Sequence, residues 1–178
     1  IIVMNTPHGN SITTAEHTIA MIMSLARQIP DANVSTKKGK WEKSKFVGTE
    51  ITGKKLGLIG CGNIGSIVVD RAKGLKMNVQ VYDPFLTDDK SKELGIEKVS
   101  FENLLASSDI ISLHTPLTDS TRNIINSDNI YSIKKGAWII NCARGGLIDE
   151  KALSDAINSN HINGAAIDVF EKEPAVSN

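Results

Sequence analysis

Three glycines, an acid and an arginine carry most of the chemistry this sequence offers. Gly60, Gly62 and Gly65 have the G-x-G-x-x-G spacing of GCGNIG, directly after the apolar run KLGLI and at the start of an amphipathic one. A glycine turn between strand and helix lets backbone N–H groups close on a diphosphate, whose charge the helix N-terminus favours. Gly60 permits the tight turn, Gly62 the close approach, and Gly65 the packing of helix on strand. Asp83 ends the next apolar run, NVQVY, 23 residues after Gly60. A carboxylate there accepts hydrogen bonds from adenosine ribose hydroxyls and repels a 2′-phosphate. Pro84 and Phe85 follow it rather than an arginine, so NAD is expected over NADP. Taken singly, the glycines fit any tight strand-to-helix turn and Asp83 any strand-end turn; their combination points to a dinucleotide.

A nicotinamide cofactor means hydride transfer, for which the protein supplies a cation and an acid–base group. Arg144 follows the apolar run AWIIN in CARGG. That places it beyond the carboxyl end of an expected strand, where ligands bind in parallel sheets. Its planar fork can hold a carboxylate and polarise the adjoining carbonyl.

Regular elements must hold these residues in place. From residue 55 onward KLGLI, NVQVY, DIISL, AWIIN and INGAAID alternate with stretches that read as helices at 63–76, 101–107 and 149–158. Parallel neighbours need crossover connections, so the alternation predicts an α/β chain. The expected architecture is a doubly wound Rossmann fold, a mostly parallel sheet with helices on both faces. Earlier, Ile12, Ala15, Ile19, Ile22, Ala26 and Ile29 recur at steps of three and four and predict a helix over 11–29. Thr13 and Glu16 have capping-box spacing, and Pro30 is expected to stop the helix. The polar, lysine-rich segment that follows reads as an extended arm.

Composition narrows the partners. Twenty Lys and Arg against 20 Asp and Glu leave no basic footprint for nucleic acid. No apolar run reaches the roughly 18 residues of a membrane span, so a membrane partner is not expected either. No His, Cys or acidic cluster has metal-ligand spacing, and no metal is expected. Cys61 and Cys142 lack framework spacing, which suits a reducing compartment, read as cytoplasm; both are expected to be packing residues rather than redox groups. At 178 residues the chain holds one domain. It opens on IIVMNTP without an initiator Met and closes just after DVFEKEP, so a fragment is expected. On this reading 1–178 is an NAD-binding domain, with 1–6 the tail of a truncated substrate-binding domain.

The blocks MNTPHGNSITTAEHTIAMIMSLARQIP, GKWEKSKFVGTEITGKKLGLIGCGNIG, HTPLTDSTRNIIN, NCARGGLIDEKAL and GAAIDVFEKEP cover essentially the whole chain. They resemble the D-2-hydroxyacid dehydrogenases, most closely the branch that oxidises 3-phosphoglycerate to 3-phosphohydroxypyruvate in serine biosynthesis. NCARGGLIDE and DVFEKEP are far more specific than the glycine motif. The resemblance implies that Gly60, Gly62, Asn63, Ile64 and Gly65 receive the diphosphate and Asp83 the ribose. It implies that Thr115, Pro116, Cys142, Ala143 and Asp168 line the rest of the NAD groove, Asp168 near the nicotinamide amide, and that Arg144 binds substrate. Glu173 would pair with a catalytic histidine and raise its pKa. That histidine is expected downstream of Glu173, so this chain by itself should bind NAD without turning over.

The resemblance further implies 3-phosphoglycerate as the small-molecule substrate and a homodimer or higher homo-oligomer. In such an assembly the arm reaches the partner, and Lys43 or Lys45 would help hold substrate phosphate. His114 is expected to line the groove, whereas His8, His17 and His161 are expected to be solvated or structural. Two rivals stay open. One is another family member, a hydroxypyruvate or glyoxylate reductase or a D-lactate dehydrogenase; the other, of a different class, is an NAD-sensing binding protein like the C-terminal-binding-protein corepressors.

Overall fold

The computed structural model describes Met4, Thr6 and residues 9–175; His8 and most of the expected domain tail at 1–6 lie outside the described residues. Six strands form one sheet: β1 (Lys55–Ile59), β2 (Asn78–Tyr82), β3 (Glu97–Lys98), β4 (Ile110–Leu113), β5 (Trp138–Asn141) and β6 (Gly164–Ile167). Every pairing among them is parallel, in the order β3-β2-β1-β4-β5-β6. This is the doubly wound Rossmann order, and its winding reverses between β1 and β4. The helices are α1 (Ser11–Ala26), α2 (Ile29–Lys37), α3 (Asn63–Gly74), α4 (Asp88–Leu94), α5 (Phe101–Ser107) and α6 (Glu150–Asn158). Among the described residues no helix is long and apolar enough to cross a membrane.

Side chains alternate across a strand, so the sheet has a core on each face. Leu56 and Leu58 of β1, Ile110 of β4 and Ile140 of β5 share a cluster with Ala15 and Ile22 of α1 and Val68 and Val69 of α3. Ile59, Ile111, Leu113 and Ile139 point the other way and meet Leu104 and Leu105 of α5 and Ala152 and Leu153 of α6. Gly57 lies under α5, where a Cβ would run into Ser108 Oγ and Leu104.

The first third of the chain departs from expectation. Helix α1 begins at Ser11 with Asn10 at its N-cap and no side-chain cap, so the Thr13–Glu16 capping box does not form. Its buried face is Ser11, Ala15, Thr18, Ile22 and Ala26, while Ile12 is exposed and Ile29 lies past the helix end. Thr18 is tolerated inside because its hydroxyl donates to Thr14 O at 2.9 Å, leaving no polar group unpaired. The stop comes from Gln28, which adopts the left-handed conformation with φ 53°. Pro30 instead sits in the first turn of α2, where its missing N–H is not needed. The expected extended arm is thus helical as far as Lys37, then irregular with a short 3-10 turn at Lys43–Lys45. Helix α4 and the two-residue β3 also went unforeseen, because DDKSKEL is too polar to show an apolar period.

Candidate functional site

The strands deliver their carboxyl ends to one edge of the sheet, and the three glycines behave differently there. Gly60 leaves β1 with φ 96°, and a Cβ on it would lie 2.7 Å from His114 O. A Cβ on Gly65 would come within 2.6 Å of Gly60 O. Gly62, the N-cap of α3, has a φ any residue can adopt and nothing within 4 Å of its Cβ position. The fold therefore requires Gly60 and Gly65, whereas bare backbone at Gly62 has its reason in whatever approaches from outside. Open space at the N-terminus of a 12-residue helix fits a diphosphate.

Asp83, at the end of β2, is anchored to this loop. Its Oδ2 accepts the Cys61 N–H and its Oδ1 the Phe85 N–H, both at 2.8 Å. A carboxylate has about four acceptor positions, so two remain for hydroxyls. Burial, and after it the Asp83 carboxylate, pushes the Cys61 thiol up to about 11.

Beside the first turn of α3 lies a cleft of about 580 Å³. Ile64 lines it from α3, Thr115 and Pro116 from the segment after β4, Cys142, Ala143 and Arg144 from the turn after β5, and Asp168 from the end of β6. These segments lie far apart in sequence and meet because β1, β4, β5 and β6 are successive neighbours in the sheet. Asn63 is exposed at the start of α3, next to Gly62.

Buried Asn141 shapes the turn that carries Arg144. Its Nδ2 donates to Arg144 O at 2.9 Å and its Oδ1 accepts the Ala143 N–H at 3.0 Å, while its backbone O accepts the Asp168 N–H at 3.0 Å. Arg144 itself is exposed; it donates to Ala143 O at 2.6 Å and pairs with no carboxylate among the described residues. It also borders a second hollow of about 370 Å³ that contains Glu173. Glu173 thus shares this hollow with Arg144 rather than lining the main cleft, and its Oε1 accepts the Phe170 N–H at 3.1 Å.

His114 lines the cleft with its Nε2 2.9 Å from the Oγ of buried Ser112. Although the residue reaches the surface in part, burial of the ring holds its pKa down at about 4, so it is neutral at pH 7. Burial raises the Cys142 thiol; a hydrogen bond with Thr18 opposes the rise and the Asp168 charge adds to it. The fifth wall comes from the start of α1, through Asn10, Thr13, Thr14 and His17. Their spacing of three, one and three marks one helical face, a polar stripe in the sequence that apolar periodicity passed over. His17 is half-buried there with its Nε2 3.3 Å from Asp168 Oδ2. Neither Asn141 nor this stripe was foreseen.

Comparison with known proteins places these features in a family. Residues 19–178 match the family model described as D-isomer specific 2-hydroxyacid dehydrogenase, NAD binding domain. The D-3-phosphoglycerate dehydrogenase of Bacillus subtilis is 52% identical over 178 residues, all of this chain and 34% of that protein. The enzyme of the same name from Archaeoglobus fulgidus is 47% identical over 174 residues, covering 98% of this chain and 33% of its own. The chain thus spans about a third of the length of these curated relatives. Among solved structures, one reported as the pyruvate reductase of Chlamydomonas reinhardtii matches with a TM-score of 0.92 and 39% identity, over 99% of this chain and 52% of the other.

Proposed function

The chain belongs to the D-isomer specific 2-hydroxyacid dehydrogenases as their NAD-binding domain, and we propose that it is the cofactor half of an enzyme oxidising 3-phosphoglycerate to 3-phosphohydroxypyruvate. The observation that carries this is Arg144, an exposed guanidinium without a carboxylate partner among the described residues, lining the same cleft as Ile64 in the first turn of α3. NAD, when bound, accepts the hydride that leaves C2 of the hydroxy acid.

The chain's own residues then have separate tasks. The backbone of Gly60, Gly62, Asn63, Ile64 and Gly65 holds the diphosphate, and Asp83 offers its remaining lone pairs to the ribose while bracing the loop through Cys61 N–H. Thr115, Pro116, Cys142 and Ala143 line the groove, and Asp168 accepts from the nicotinamide carboxamide. Arg144 binds the substrate carboxylate and polarises the C2 oxygen. Glu173 is the partner of a histidine from elsewhere in the enzyme, holding that imidazole's proton available near neutrality. His114 is a poor substitute for that group, since its ring stays uncharged well below neutral pH.

Identity of 52% to a protein named D-3-phosphoglycerate dehydrogenase supports the phosphorylated substrate. The likeness to a pyruvate reductase supports a second reading, a reductase of unphosphorylated 2-oxo acids. Exposed Ile29, Val34, Trp41 and Val47 along α2 and the arm support a homodimer, and the free thiols of Cys61 and Cys142 suit a reducing cytoplasm. Lys43 is the better arm candidate for substrate phosphate, because Lys45 lies 4.0 Å from Glu42 and 5.6 Å above the Phe46 ring. The deciding experiment follows NADH consumption by the full-length enzyme containing this chain, with 3-phosphohydroxypyruvate, hydroxypyruvate and pyruvate in parallel. A strong preference for the phosphorylated acid is expected; equal or reversed preference moves the function to a general 2-hydroxyacid reductase.

A further inference from the structure

Asp168 is fixed at its backbone and loose at its carboxylate. Its N–H donates to Asn141 O at 3.0 Å, but among the described residues no group donates a hydrogen bond to its half-exposed side chain. A carboxylate at a strand end has several staggered orientations open to it unless a neighbour selects one. The polar group set against it is His17 Nε2, 3.3 Å from Oδ2. That nitrogen is itself buried and has no hydrogen-bond partner among the described residues. The pair therefore has the separation of an ion pair without the alignment of a hydrogen bond, and a small rotation of either side chain supplies it. His17 is firmly mounted, because Ala15 and Thr18 on either side of it along α1 are buried against the sheet.

Both side chains border the same cleft. We infer that His17 is a positioning residue whose Nε2–H holds the Asp168 carboxylate toward the cleft, where Asp168 accepts from the carboxamide of NAD. This rests on the role proposed above for Asp168. With its nitrogen enclosed, His17 acts through the carboxylate rather than by touching the cofactor. The distance between α1 and the end of β6 thereby sets the orientation of the nicotinamide end of the site.

The test reads binding without turnover. The full-length enzyme containing this chain is titrated at equilibrium with NADH and with the reduced 3-acetylpyridine analogue, whose methyl ketone has no N–H to donate. Asp168→Ala is expected to weaken NADH roughly tenfold or more, as for loss of a hydrogen bond to a charged group, and to leave the analogue unchanged. His17→Leu should reproduce most of that selective loss, His17→Gln should recover it because its amide nitrogen reaches the Nε2 position, and His17→Leu added to Asp168→Ala should change nothing further. If Asp168→Ala loses the discrimination and His17→Leu keeps it, His17 has no positioning role. If Asp168→Ala keeps it, the role of Asp168 fails and that of His17 with it. Should His17→Leu not fold, His17→Asn, whose amide stops at the Nδ1 position, replaces it; equal discrimination in the Asn and Gln variants overturns the inference.

Discussion

Replacing Gly62 and Gly65 separately by alanine distinguishes a glycine needed for binding from one needed for folding. At Gly62 the added methyl meets nothing within 4 Å, and the backbone is extended rather than left-handed. Loss of a glycine N-cap and gain in unfolded-state rigidity each amount to about 0.5–1 kcal/mol and oppose one another. Stability should therefore stay within about 1 kcal/mol, or roughly 3 °C in Tm for a domain of this size. The methyl does stand where the diphosphate must approach. Forfeiting one charge-assisted hydrogen bond there costs about 1.5–3 kcal/mol, so NADH affinity should fall between roughly tenfold and 150-fold. At Gly65 the methyl comes within 2.6 Å of Gly60 O, backbone that cannot swing away. Overpacking of about 1–3 kcal/mol then lowers Tm by roughly 3–10 °C. Thermal unfolding followed by circular dichroism and NADH titration by fluorescence check the pair. Wild-type NADH affinity in Gly62→Ala would refute the placing of the diphosphate, and an unshifted Tm in Gly65→Ala would refute the packing argument.

Three other outcomes are expected. Asp83→Ala removes the acceptor of the Cys61 N–H together with the ribose acceptor, so NAD affinity should drop at least tenfold and the preference over NADP should shrink; an unchanged NAD to NADP ratio of dissociation constants counts against it. Arg144→Lys in the full-length enzyme keeps the charge but loses the fork, and kcat/KM should fall by about 100-fold or more, whereas activity within threefold of wild type excludes bidentate substrate binding. Asp109 accepts from Lys55 N–H at 2.8 Å and Lys134 Nζ at 2.7 Å; burial alone would raise its pKa, but these bonds and the lysine charges together hold it below the usual carboxylate value. A depressed folded-state pKa stabilises above the unfolded value of about 3.9, and that contribution is lost as pH falls through the folded value. Chemical denaturation of wild type and Asp109→Asn should therefore show a gap at pH 7 that closes in acid, and a gap independent of pH contradicts the assignment.

The sheet was legible because KLGLI, NVQVY, DIISL and AWIIN are compact apolar runs, and four of the six strands fall within a residue of them. Helix α3 was legible from its glycine start and α6 from its strong amphipathicity. What failed was local in a different sense. Pro30 reads equally well as a stop or as a first-turn residue, and only the left-handed Gln28 decides between them. The isoleucine stripe of α1 was overextended because apolar spacing does not reveal that Thr18, satisfied by Thr14 O, takes a buried place while Ile12 faces out.

The candidate site divides along the same line. Gly60, Gly62, Gly65, Asp83 and Arg144 announce themselves in sequence because each depends on its own neighbours: a turn after a strand, an acid at a strand end, a fork beyond another. Their chemistry follows from residue type and short spacing alone. That Gly62 alone of the three loop glycines opens on empty space, that Asn141 binds the Arg144 turn, that Glu173 shares a hollow with Arg144 outside the main cleft, and that His17 faces Asp168 across 151 positions were decided by tertiary structure. Such contacts depend on strand order and on how closely α1 packs against the sheet, and no local pattern encodes them.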